Sequence, residues 1–141
     1  RLDSITNSRA PRSLPDDRLA LLNEGLLTSL GELSHAGSLQ QLPMSLTKAR
    51  GKVWLAKVES DAKLTFQAIQ GDKKASFKFE DLAPADHALL SRLVVRHRPD
   101  DKEAQAMAGI YMELAGNTKV ADEYYDKAGP EFKQQLEDLF N

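Results

Sequence analysis

From Val53 to Glu80 the chain reads VWLAKVESDAKLTFQAIQGDKKASFKFE, and the period of this stretch decides the fold. Val53-Trp54-Leu55-Ala56-Lys57-Val58 is rich in residues that suit a pleated, half-buried surface. Glu59-Ser60-Asp61 turns the chain, after which Leu64, Phe66 and Ala68 alternate with polar neighbours. Gln70-Gly71-Asp72-Lys73 is a second turn, and Phe77 and Phe79 then alternate with Ser76, Lys78 and Glu80. A period of two between short turns predicts an antiparallel meander of about three strands, buried on one face and wet on the other. So small a sheet needs helices to cover it.

On both sides the period changes to 3.6. Upstream, Pro15-Asp16-Asp17 offers a helix start, and Leu19, Leu22, Leu26, Leu27 and Leu30 mark one stripe of a helix over about 16–33, with Gly31 near its end. Residues 34–51 hold Gly37, Pro43 and Gly51 and predict an irregular connection. Downstream, Pro84 opens a helix through Leu89, Leu90, Leu93 and Val94 to about His97, and Asp100-Asp101 cap another over roughly 101–115. Gly116-Asn117-Thr118 breaks the chain, a further helix runs to Ala128, and after Gly129-Pro130 a last helix carries Phe132, Leu136, Leu139 and Phe140. The expected class is therefore α+β, with the meander packed against a mostly helical C-terminal block. The expected organisation is a flexible linker at 1–15, the leading helix and connection at 16–50, the β unit at 51–83 and the helical block at 84–141. The last two are read either as separate units or as one compact domain.

Composition narrows the function classes. The 141 residues are 41% hydrophobic and 28% charged, which suits one globular core. A net charge of −2 lacks the basic surplus that phosphate neutralisation requires, so no nucleic-acid partner is expected. There is no cysteine, which removes disulfides, thiolate metal sites and cysteine nucleophiles together. No apolar run approaches the roughly 18 residues of a membrane span. The start at Arg1 in place of Met reads as a processed piece of a longer protein.

The stretch 104–128 resembles one tetratricopeptide repeat. Ala104, Ala108 and Tyr111 stand where that family packs its first helix, Gly116 near its turn, and Ala121, Tyr125 and Ala128 on its second. Here Ala104 replaces the usual aromatic residue and the terminal proline is displaced to Pro130. The stretch from about Val53 to Asp86 resembles a small SH3-like homology module known from an actin-patch adaptor and from modular bacterial proteins. Trp54, the Asp61/Lys63 turn, Gly71, Phe79, Leu82 and Asp86, ending in FEDLAPAD, carry that likeness. Both resemblances imply interaction modules, and neither implies chemistry.

Catalytic and metal patterns do not assemble. Ser45-Leu46-Thr47-Lys48 matches S-x-x-K, but it sits in a proline-containing loop with neither S-D-N nor K-T-G elsewhere. His35, His87 and His97 lie in separate turns, and no H-E-x-x-H occurs. Glu80/Asp81 and Asp100/Asp101/Glu103 precede helices, where capping explains them, and Asp122/Glu123/Asp126 read as a solvated face. No cofactor or metal is expected. Arg92 and Arg96, four residues apart on one helix face, form a candidate surface for an acidic partner. Trp54, the one tryptophan, is either core or a displayed contact, and Tyr124 is the more exposed of the adjacent pair Tyr124/Tyr125.

The expected function is a non-catalytic protein-interaction or scaffolding module of a larger protein. Trp54, Arg92, Arg96 and Tyr124 are its candidate contacts, and a protein or peptide is its partner. Two alternatives stand beside it: an enzyme accessory domain using surface carboxylates, and an oligomerisation segment that pairs helix 16–33 between copies.

Overall fold

A computed structural model describes residues 9–140. The fold is α+β. Among the described residues there are five α-helices and a three-stranded open antiparallel sheet. Helix α1 spans Asp16–His35, strands β1, β2 and β3 span Val53–Glu59, Lys63–Ala68 and Lys74–Lys78, and helix α2 spans Pro84–His97. Helices α3 (Lys102–Leu114), α4 (Thr118–Ala128) and α5 (Lys133–Phe140) follow.

The meander forms in the order β1-β2-β3 with both pairs antiparallel. Its first turn places Asp61 and Ala62 at φ of 67° and 58°, a left-handed conformation that Asp tolerates better than most side chains. The pairing of β1 with β2 slips between Leu55 and Lys57. This bulge at Ala56 reverses the side-chain alternation of the strand. Val58 consequently lies opposite the buried Leu64, on the face of Val53 and Leu55, and not on the face of Trp54 as strict alternation requires. Strand β3 ends one residue before Phe79, which turns inward from a 3-10 segment and is 2% exposed.

Leu26, Leu30 and Leu33 on α1, Leu55, Leu64 and Phe66 on the sheet, and Leu90, Val94, Ile110 and Tyr111 on α2 and α3 belong to one continuous buried cluster. Gly31 does not end α1. It faces Val58, with 3.9 Å of room for a β-carbon, and the helix closes at Gly37, whose φ of 80° reverses the chain. The connection after α1 is irregular but anchored. Leu39, Met44 and Leu46 are buried, Met44 pairs with Val53 at the edge of β1, and Thr47 donates both its amide and its hydroxyl to the buried Asp86 of α2.

Of the stretch 1–15 expected as a flexible linker, residues 1–8 lie outside the described residues. Residues 9–15 form no helix or strand but make specific contacts. Leu14 is buried, and Arg9 and Arg12 are bound to α3 through a buried carboxylate.

Helices α3 and α4 pack more extensively than any other pair among the described residues. Asp101 accepts from the amides of Glu103 and Ala104 to start α3, and Asn117 accepts from Val120 to start α4. Gly109, which the sequence reading did not place among the packing residues of this hairpin, lies directly against α4. A β-carbon there would stand 3.1 Å from the Ala121 carbonyl oxygen.

Candidate functional site

Three features carry enough chemistry to bind something. The first is a groove of about 390 Å³ between α1, α3 and α5. Leu21 and Leu22 come from α1, Met107 and Ile110 from α3, and Leu136 and Leu139 from α5. Ile110 and Leu136 are core residues that floor the groove, while Leu21, Leu22, Met107 and Leu139 stand at its more exposed edges. Leu21 is 69% exposed and is the one large hydrophobic side chain so placed among the described residues. The charged side chains lining the groove are Asp101 and Glu103, with no Lys or Arg.

The second feature contains three of the four residues singled out in the sequence. Arg92 Nε donates to the Tyr124 hydroxyl at 3.1 Å, which joins α2 to α4, and Lys127 lies 5.6 Å from the centre of the Tyr124 ring. Arg96 is exposed one turn beyond Arg92. Neither arginine is paired with a carboxylate among the described residues. Arg98, next in sequence, is committed elsewhere, to Glu32 at 2.8 Å. Trp54 belongs to the sheet. It is half-buried on the sheet face opposite Val53 and Leu55, and its buried indole N–H has no hydrogen-bond partner among the described residues.

The third feature is a buried ionic cluster. Glu113 of α3 is fully buried and its carboxylate accepts six hydrogen bonds. Arg9 binds it with both terminal nitrogens at 2.8 and 2.7 Å, and Arg12 with Nε at 2.7 Å, a terminal nitrogen at 3.0 Å and its amide at 2.8 Å. The Tyr125 hydroxyl donates the sixth at 2.8 Å. Burial pushes this carboxyl toward protonation, but the bonds from Arg9 and Arg12 outweigh it and hold the group well below the usual carboxylate range. Burial, then the hydrogen bond to Glu113, raises the Tyr125 phenol.

Several other titratable groups are engaged structurally. His87 Nε2 lies 2.6 Å from the Phe79 carbonyl oxygen, an acceptor only, so the nitrogen carries the proton it donates. The ring stacks on Phe79 at 4.0 Å, and burial lowers its pKa. Asp122 pairs with Arg9 and Glu131 with Lys102. Among the described residues no three His, Asp or Glu side chains come together as a metal site would require, and no helix is long and apolar enough to cross a membrane.

No family model, curated protein or solved structure matches the chain.

Two signals for these sites were present in the sequence and went unread. Leu21 lies off the Leu19/Leu22/Leu26 stripe, so a helix that buries the stripe must expose it. Glu113 is the one charged residue between Ala104 and Gly116, an isolated carboxylate in an apolar helix that calls for a cation from elsewhere in the chain.

Proposed function

We propose that the chain is a non-catalytic protein-interaction module whose groove between α1, α3 and α5 receives the apolar face of a partner helix flanked by Lys or Arg. The observation that carries this reading is Leu21, held 69% exposed at the mouth of an apolar groove. Burying a leucine of this kind against a partner is worth about 1.5–3 kcal/mol, and a three-helix groove accepts the i, i+3, i+4, i+7 side chains of an amphipathic helix. Charge selects among such helices. The two carboxylates at the groove, unopposed by any lining cation, favour a basic flank and repel an acidic one. The likeness of 104–128 to a tetratricopeptide repeat belongs to the same proposal, since α3 supplies one wall.

Fluorescence anisotropy with a labelled leucine-faced helical peptide tests the reading. A lysine-flanked peptide should bind the full chain, a glutamate-flanked peptide of the same apolar face should bind about tenfold more weakly, and Leu21→Glu should abolish binding. Equal binding of the two peptides, or none, sinks the proposal. Light scattering decides whether a second copy fills the groove instead.

The Arg92–Tyr124 bond supports a second reading, a cationic face of Arg92, Arg96 and Lys127 that docks an acidic segment. Charge reversal of Arg92 and Arg96 together, with no change in capture of that segment, removes both from the account.

A further inference from the structure

The buried cluster around Glu113 has the construction of a peptide-recognition site. Its occupant, Arg9-Ala10-Pro11-Arg12-Ser13-Leu14, belongs to no helix or strand. Two arginines three residues apart place their guanidinium forks on one carboxylate, each by two hydrogen bonds. Arg9 also reaches Asp122 at 2.8 Å, and the Arg12 guanidinium lies 4.3 Å from the centre of the Phe140 ring. The main chain is read as well: the buried Thr118 hydroxyl donates to the Arg9 carbonyl at 2.8 Å, and the Arg12 amide donates to Glu113. These contacts come from α3, α4 and α5. Pro11 fixes one backbone angle between the two anchors, which lowers the entropy lost on binding.

The occupant does not fill the space. Beside it an open recess of about 520 Å³ is lined by Asp126, Glu137 and Lys133 as well as by Arg9, Arg12 and the Arg9-paired Asp122, so an incoming segment has room next to the tethered one. A fully buried carboxylate is strongly disfavoured without cations, so whatever leaves must be replaced by a segment of the same chemistry.

We infer that the Glu113–Asp122–Tyr125–Phe140 site recognises an extended R-x-x-R segment of another protein, and that residues 9–14 are the chain's own competitor for it. Leu136 lines both this recess and the groove, but the inference does not rest on the groove being occupied. The competitor is tethered, which gives it a high effective concentration, so exchange needs either a weakened tethered copy or a stronger incoming one.

Arg9→Lys/Arg12→Lys in the full chain weakens the tethered copy while keeping charge on Glu113, because lysine cannot make the paired bonds of a guanidinium. Anisotropy of labelled SRAPRSLP should then show saturable binding. SKAPKSLP should bind at least about tenfold more weakly, and adding Glu113→Gln should remove the difference. Arg9→Ala alone, which leaves Arg12 on the carboxylate, serves as a second folded background and should show the same preference. Circular dichroism establishes which background is folded. Absence of binding to a folded variant, equal binding of the two peptides, or a preference that survives Glu113→Gln overturns the inference.

Discussion

Gly109 of α3 and Tyr125 of α4 are in contact so close that only glycine fits: a β-carbon on Gly109 would lie 2.5 Å from Cε1 and 2.6 Å from Cδ1 of the ring. The third neighbour, the Ala121 carbonyl, is backbone and cannot rotate away. Tyr125 in turn spends its hydroxyl on Glu113, so a shift of the ring also loosens the ionic cluster. Helix packing and the carboxylate site thus share one side chain.

Gly109→Ala should therefore destabilise the chain by about 1–3 kcal/mol, since overpacking outweighs alanine's better helix propensity. Gly25→Ala, in a helix position with nothing within 4 Å, should stabilise by about 0.5–1 kcal/mol. Urea midpoints of the two variants check both signs.

Acid should unfold the protein through Glu113. Its folded-state pKa is depressed, so the stability it contributes is complete above the ordinary value of 4.5 and is lost as pH falls below that value toward the folded one. Glu113→Gln should flatten this acid limb and lower stability at neutral pH by about 3 kcal/mol, the low end for breaking a buried pair. The low end applies because Arg9 and Arg12 keep 34% and 37% of their side chains exposed. Denaturant titrations between neutral pH and acid measure it.

At the alkaline end the tyrosines act. Burial raises Tyr111, whose hydroxyl donates to Asn23 of α1 at 2.6 Å, and it raises Tyr125. A raised phenol contributes stability that is complete below the unfolded value of 10.0 and declines as pH rises past it. Tyr111→Phe should lower stability at neutral pH by about 1 kcal/mol and weaken the decline above it, as thermal melts across that range will show.

Asp86→Ala should cost about 2–3 kcal/mol and release the connection after α1, because the Thr47 amide and hydroxyl and the Ala83 amide lose their shared acceptor. Hydrogen exchange at Thr47 should accelerate selectively, with the sheet amides retained.

The meander, the later helices and the α+β class were legible because each rests on a local period that a dozen residues display. The bulge at Ala56 was not, since an extra residue leaves the composition of a strand unchanged and shows only as a reversed face for Val58. Arg92 and Tyr124 were both singled out, but their bond joins residues 32 apart and needs the helix packing to exist first. The clamp on Glu113 spans 104 residues from Arg9, and a stretch of Ser, Asn, Arg and Pro looks like a linker until its cations find a buried acid. Gly109 escaped notice because a glycine within a helix signals only weakness until the neighbouring ring is known.

The groove is the central claim, and amide chemical-shift mapping of the full chain with the lysine-flanked helical peptide tests it most directly. The account predicts shifts confined to α1 around Leu21 and Leu22, α3 around Met107 and Ile110, and α5 around Leu139, all absent in Leu21→Glu. Shifts centred on the Arg92–Tyr124 face, or an unchanged spectrum at saturating peptide, would contradict it.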